Sequence, residues 1–327
     1  VNLTSADATV NAVVAQVVDT RGWMSADFHV HSVNSPDSPI GLVDRVKTFL
    51  AEDVNVLLST DHDYITDYAP VNAQVGGTSL MATMVGLEIT TFDYGHFNPF
   101  PLNLDANDVV THGAIDWAGG TKEGGDLPSL PIDNIIDKAR AIGATTFQIN
   151  HPNGGMSTFG GGGLDADTGK THTPRSTFRL PPDPSRETTD DTAIMPTKKW
   201  DAMEIMNGFS TSSYQGLLNN LMTFTARGLV VTGTAVSDTH RRWSSAAGYP
   251  RSYVRMAKSI SGFSPATMSE AVNKQRVTGS VGLFVKAYAF KGGTAPALGG
   301  STAVDLEAAC TAAGAGCAQV GDTLAFD

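Results

Sequence analysis

Short apolar runs rich in Val, Ile, Leu and Met recur along the chain. They alternate with segments whose apolar residues return every three or four positions, the pattern of an α/β architecture. Seven runs read as strands: Ala26–His31, Val54–Thr60, Met81–Ile89, Phe97–Leu102, Thr145–Asn150, Ala202–Met206 and Leu229–Thr234. Helical periodicity is clearest over Leu42–Glu52, Ile132–Ile142, Ser213–Arg227 and Pro265–Gln275. Ser264 and Pro265 supply an N-cap and a first-turn proline, and Gly143 and Gly228 stand where helices end. Residues 105–131 and 154–199 fit neither period; the second holds the run Gly160–Gly163 and the segment Leu180–Pro184. Loops of this length are uncommon inside a compact domain, so both are expected to cover a site. No linker interrupts the alternation, which predicts an N-terminal segment 1–22, one domain over 23–292 with these two insertions, and a C-terminal tail 293–327. The closing QVGDTLAFD has the pattern of a strand's beginning, compatible with a longer parent chain.

The 327 residues are 41% hydrophobic and 17% charged, enough apolar material for a core, which excludes overall disorder. No apolar run reaches the roughly 18 residues of a membrane span. With 33 acidic against 22 basic residues the net charge is −11, and no basic block could track a phosphate backbone, so no nucleic-acid partner is expected. The same acidity disfavours polyanionic substrates unless bound cations reverse the local sign. Cys310 and Cys317 bracket a short Gly/Ala-rich segment that a disulfide would close, with free thiols or a metal site as alternatives. Low Lys and abundant Gly, Ser and Thr lead us to expect an exported protein, periplasmic or secreted. Its leader is expected to have been removed or left outside these residues, because the chain opens at Val1 with no basic-then-apolar stretch.

Six of the eight histidines fall at strand ends, beside Asp, Glu or another His. In DFHVHS, His29 and His31 are two apart, and a strand's period of two points both imidazoles to one face. Asp238 and His240 in VSDTH repeat the spacing with a carboxylate and an imidazole. Between these pairs stand Asp37, His62 in STDHD, Glu88 in GLEIT, His96 in GHFN and His151 in INHPN. A lone histidine beside a strand is more often a hydrogen-bonded structural residue than a ligand. Nine such groups together are too many for one ion, and predict two or three adjacent divalent cations, Zn, Mn or Fe. His112 and His172 lie in the long loops and are not expected as ligands.

The order HxH, Asp, TDH, GxE, GH, NHP and DxH resembles the PHP (polymerase and histidinol phosphatase) family of metallohydrolases from about Trp23 to Leu283. The segments GWMSADFHVHS, EIMNG at Glu204–Gly208 and VTGSVGLF are most similar to its exported, carbaryl-hydrolase-type branch. The resemblance implies a distorted seven-stranded β/α barrel with up to three metals at the carboxyl ends of its strands. One metal would take His29, His31, Glu88 and Asp238; a second, Glu88, His96 and His151; a third, Asp37, His62 and His240.

The expected reaction is hydrolysis of a small-molecule ester by a metal-bridging hydroxide. Glu88 and Asp238 would act at the metals, and Arg241 would hold the oxygen that gains charge, with Arg242 a lesser candidate. Few Lys or Arg accompany the ligand segments, which favours phosphodiesters or phosphotriesters over monoesters. Carboxylic or aryl carbamate esters are the alternative, in a pocket lined by Phe92, Tyr94, Phe97, Phe159 and Phe209. Asp61 and Asp63 could orient imidazoles or cap a helix; Tyr64, Asn153 and Asn207 stand near the expected rim. An amidohydrolase-type enzyme is a rival reading, but DxH closes the set here and no Lys ends a strand. A non-catalytic metal-binding domain is another.

Overall fold

The computed structural model of the chain describes residues 18–91, 94–119, 121–122, 125–126, 129–130, 132–153, 157–159, 199–208, 211–243, 246–297 and 304–323. Phe92, Phe209, His172, the runs Gly160–Gly163 and Leu180–Pro184, and most of the 154–199 insertion lie outside them.

In chain order the first strands are β1 (Trp23–Asp27), β2 (Val56–Leu58), β3 (Ala82–Met84), β4 (Ile89–Thr90), β5 (His96–Phe100), β6 (Thr121–Lys122) and β7 (Gly125–Asp126). They are followed by β8 (Thr146–Ile149), β9 (Ala202–Asn207), β10 (Thr232–Val236), β11 (Arg251–Arg255), β12 (Val277–Ser280), β13 (Tyr288–Phe290) and β14 (Cys317–Gln319). The helices are α1 (Leu42–Ala51), α2 (Ala69–Gln74), α3 (Ile132–Ala141), α4 (Thr211–Ala226), α5 (Pro265–Asn273) and α6 (Leu306–Ala313). None of the described helices is long and apolar enough to cross a membrane.

Two mixed five-stranded sheets carry the fold, ordered β12-β11-β1-β2-β3 and β10-β9-β8-β5-β4. Ladder hydrogen bonds among the described residues therefore do not close one seven-stranded barrel. The physical reason lies at the edge of β1, where the antiparallel β11 pairs from Trp23↔Arg255 to Ala26↔Ser252 and takes the place a closing strand would need. The sheets meet instead through single bridges at one end, Val30↔Thr239 on one side and His62↔Glu88 on the other.

Period-two alternation sorts the side chains. Met24, Ala26 and Phe28 join Val56, Leu58, Phe100 and Val236 in the core between the sheets, while Leu57 and Val30 pack outward with Val46 and Phe49 of α1. On the second sheet Ile89, Phe97, Phe147 and Ile149 face α3 and α4. Tyr94, Phe97 and Phe159 belong to that buried core, so they do not line a pocket as the sequence suggested. The Met81–Ile89 run divides into β3 and β4 at Gly86, where a Cβ would come within 3.0 Å of the Ser59 and Pro99 carbonyl oxygens. Downstream, β13 pairs with β14 across residue 292, and Cys310 and Cys317 are bonded, with 5.2 Å between their Cα atoms.

Candidate metal centre

The bridged end of the two sheets collects the polar residues. Parallel β8 and β9 deliver His151 and Asn207 there, and β10 leads into Asp238 and His240. Strand β5 is antiparallel to β8, so its first residue, His96, arrives at the same end. His29 and His31, two apart on the extended chain past β1, bring their Nε2 atoms within 2.9 Å.

Glu88, fully buried, stands among five imidazoles. Its Oε1 lies 3.3 Å from His29 Nε2, 3.2 Å from His96 Nδ1 and 3.3 Å from His151 Nε2. Its Oε2 lies 3.4 Å from His31 Nε2 and 2.9 Å from His62 Nδ1. Asp238 Oδ1 is 3.3 Å from His29 Nε2 and 3.2 Å from His31 Nε2. On the solvent side Asp37 Oδ2 is 3.4 Å from His62 Nε2 and 3.1 Å from His240 Nε2, and the His240 ring stacks on His31 with centroids 3.8 Å apart.

All nine sequence candidates for metal contact fall into four donor sets, each with its ligand atoms within 4.8 Å of one another. The sets are His31, Asp37, His62 and His240; His29, His31 and Glu88; His29, His151 and Asp238; and His62, Glu88 and His96. They overlap through His29, His31, His62 and Glu88. Arg241 stands apart: it is exposed and lines a cavity of ≈ 470 Å³ with Ile40, Asp44, Arg242 and Trp243.

Charge and burial compete throughout the cluster. Burial opposes protonation of His29, yet the Asp238, Glu88 and Glu204 carboxylates raise its pKa well above the ordinary value. Burial likewise opposes protonation of His62, but the hydrogen bond and charge of Glu88 raise it to about 9. His151 is raised as well, because Glu88 outweighs its burial. His31 goes the other way, pushed by burial to about 4. Burial would raise Glu88 and Asp238, but the His29 charge and the neighbouring imidazoles hold both well below the carboxylate range.

A group whose folded pKa is raised stabilises fully below its unfolded pKa, and that contribution is lost as pH climbs through the folded value. For His62 the window runs from the ordinary 6.5 to about 9, and His29 and His151 act in the same direction. The metal-free chain is therefore expected to melt at progressively lower temperature from pH 6.5 to 9. Calorimetric scans across that range check this, and a rising melting temperature would contradict it.

Glu88 Oε2, Asp238 Oδ1 and His96 Nε2 are buried without a hydrogen-bond partner. Glu88 Oε2 is near His62 Nδ1, but that nitrogen lies 2.6 Å from Thr90 Oγ1, whose hydroxyl donates to the Glu88 carbonyl. Buried polar atoms left unsatisfied are costly, and a cation satisfies nitrogen and carboxylate lone pairs together. The donor set of imidazoles and carboxylates suits a borderline divalent ion.

Residues beneath the cluster set its geometry, and the sequence singled out Asp61 among them but not the buried amides. Asn98, Gln148 and Asn150 form a buried amide floor, in which Asn150 Nδ2 donates to Glu88 Oε1 at 2.9 Å and to Asn98 Oδ1 at 2.7 Å. Asp61 accepts from Ser35 Oγ at 2.9 Å, and Ser35 Oγ in turn meets His31 Nδ1 at 2.8 Å, so Asp61 orients an imidazole through a hydroxyl. Asp63 instead accepts from Thr90 N and Trp117 Nε1. Asn153 accepts from Asn220, and Tyr64 pairs with His112. Glu204, in the interior of β9, is wholly buried 2.6 Å from His29 Nδ1. Its only signal in the sequence was a carboxylate inside an otherwise apolar strand. Asp238 and His151 adopt left-handed backbone, φ 50° and 24°, which is strained for residues with a Cβ and concentrates at functional sites.

No protein-family model matches the chain, and no curated protein is similar to it. Among solved structures, the chain is similar to a two-domain protein from Bacteroides vulgatus described as containing a predicted PHP-like metal-dependent phosphoesterase. That match has 18% identity and a TM-score of 0.48, over 84% of this chain and 69% of that one. An endonuclease Q bound to duplex DNA with an abasic lesion matches at 12% identity and TM-score 0.45, over 74% of this chain and 57% of that one. An amidohydrolase from Chromobacterium violaceum with bound sulfate matches at 12% identity and TM-score 0.40, over 78% and 97%. Likenesses this distant transfer no activity.

Proposed function

We propose that the chain is a PHP-type metal-dependent hydrolase acting on phosphoesters, diesters or triesters in preference to monoesters. One observation carries the reading. His29 Nδ1 faces the acceptor-only carboxylate of Glu204, and His31 Nδ1 faces Ser35 Oγ, whose hydroxyl is given to Asp61. Both rings therefore spend their Nδ1 protons outward and aim Nε2 lone pairs at each other across 2.9 Å. Two lone pairs so close require a cation or a proton between or beside them.

Divalent ions held by these donor sets supply a water of lowered pKa and Lewis acidity toward an ester oxygen. The chain's own residues do the rest. Glu88 and Asp238 gather the imidazoles, and His62 and His240 with Asp37 form the face nearest solvent, over the buried His31. Arg241, next to His240 in sequence but exposed at a neighbouring cavity, would have to swing toward the cluster to bind the oxygen that gains charge. The acidic ligand set and the few Lys or Arg in the ligand segments favour esters of low charge, with carboxylic or aryl carbamate esters as the second reading. The bonded Cys310–Cys317 pair supports an exported location.

The test is a panel of chromogenic phosphate mono-, di- and triesters beside carboxylic, carbamate and sulfate esters, run on metal-stripped chain and again after Mn²⁺ or Zn²⁺ is restored. Turnover of di- or triesters that returns only with metal is the expected result. Full metal loading with no turnover on any ester would instead make this a binding domain. Fewer than about two bound equivalents would remove the multinuclear site.

A further inference from the structure

Glu204 makes four contacts, and together they leave it no lone pair for a cation. Oε1 accepts from His29 Nδ1 at 2.6 Å and Gln148 Nε2 at 3.2 Å. Oε2 accepts from the His151 backbone N–H and from Asn207 Nδ2 at 2.8 Å. A carboxylate so saturated cannot be a ligand. It anchors what surrounds it. The His29 bond fixes that ring with Nε2 outward, and the His151 bond holds a residue at φ 24° that would otherwise relax. The same Asn207 amide reaches Asp238 Oδ2 at 3.1 Å, tying the third residue to the same carboxylate.

His29, His151 and Asp238 are the members of one donor set. The set on the solvent side, His31, Asp37, His62 and His240, has a different anchor. Ser35 Oγ accepts from His31 Nδ1 at 2.8 Å and from the His62 backbone N–H at 3.0 Å, and donates to Asp61. The hydrogen bonds of Glu204 described above go to His29, Gln148, His151 and Asn207, and those of Ser35 to His31, His62 and Asp61.

We infer that Glu204 is the positioning residue of one cation site, the one bounded by His29, His151 and Asp238, and that Ser35 with Asp61 independently positions the other. This rests on the metal-site reading above, and it adds that the sites are separable: each loses affinity without the other when its own anchor is removed.

The experiment titrates metal-free wild type, Glu204→Gln, Asn207→Ala and Ser35→Ala with Mn²⁺ by calorimetry, counts bound ions by equilibrium dialysis, and monitors folding by circular dichroism. Gln keeps the volume of Glu and two of its hydrogen bonds, so a packing role would leave every Mn²⁺ affinity unchanged. The expected result is a site weakened about 10- to 100-fold in Glu204→Gln, with the site of His31, Asp37, His62 and His240, which shares no residue with the Glu204-anchored set, within about twofold of wild type. Asn207→Ala should weaken the same site, and it reads the inference on a half-buried side chain if Glu204→Gln fails to fold. Ser35→Ala should weaken a different site. In the metal-free wild type, the short His29–Glu204 bond should also give a far-downfield imidazole N–H proton resonance, absent in Glu204→Gln. Wild-type affinities in both Glu204→Gln and Asn207→Ala, or an equal loss at every site, would overturn the inference. A wild-type chain that takes up no Mn²⁺ would overturn the metal-site reading, and this inference with it.

Discussion

Glu88→Gln is expected to lower ester hydrolysis by at least about a thousandfold and to remove at least one bound cation, while the chain still folds. The side chain is buried with imidazole nitrogens 2.9 to 3.4 Å away on both of its oxygens. Gln is nearly isosteric, so packing changes little. It removes the negative charge and turns an N–H₂ donor toward nitrogens or cations that need an acceptor. Losing such electrostatic complementarity inside a dry site costs several kcal/mol, and each ~1.4 kcal/mol is a factor of ten in rate. A second consequence separates this from simple unfolding. Glu88 is the group that raises His62 to about 9, so the decline in metal-free stability between pH 6.5 and 9 should flatten in the variant. Wild-type turnover in Glu88→Gln would move the reacting centre away from this carboxylate.

The sequence could be read for chemistry wherever a ligand-type side chain ended an apolar run, because strand ends are where a sheet presents its polar residues. That is why the groups from His29 to His240 could be named before their meeting was visible. His96 came in on the same rule although β5 runs the opposite way, since an antiparallel strand brings its first residue to the end where its neighbours finish. The rule fails inside elements. Glu204 lies three residues into β9, where a carboxylate reads as an outward-facing strand residue, and only the partners from the segment past β1 and from β8 reveal that it is enclosed. The sheet arrangement was equally hidden. β11 reads RSYVR, a polar alternation with no strong apolar signal, yet its position beside β1 decides that the strands form two sheets. Short α2 carries Pro70 in its first turn and too few residues for a period to register.

Arg45 gives the largest expected effect on folding. In LVDRVKTFLA it reads as one of the solvated charges of an amphipathic helix. In the fold it is wholly buried, and that burial lowers its pKa. The guanidinium donates from Nε to the His31 carbonyl at 2.7 Å, from Nη2 to the Thr239 carbonyl at 2.9 Å and from Nη1 to Thr239 Oγ1 at 3.1 Å. Those acceptors sit in the HxH and DxH segments, beside the Val30↔Thr239 bridge that joins the two sheets. One side chain therefore holds both ligand pairs in mutual register. Arg45→Met retains the apolar stem but strands the buried His31 carbonyl, worth roughly 1–3 kcal/mol, and takes one of two donors from the Thr239 carbonyl, which keeps the His31 N–H at 3.1 Å, for a total of about 2–4 kcal/mol. At roughly 1.5–2 °C per kcal/mol for a chain of 327 residues this lowers the melting temperature of the metal-free chain by about 5 °C. Lys in the same place keeps the charge but offers a point donor on a flexible stem, which cannot serve three acceptors spread across two segments. Arg45→Lys should accordingly fall between wild type and Arg45→Met in thermal melts, and both variants should bind Mn²⁺ less tightly because His31 and Asp238 are no longer held in register. A melting temperature for Arg45→Met within about 1 °C of wild type, less than 1 kcal/mol of loss, would mean that the bridge between the sheets stands without the guanidinium.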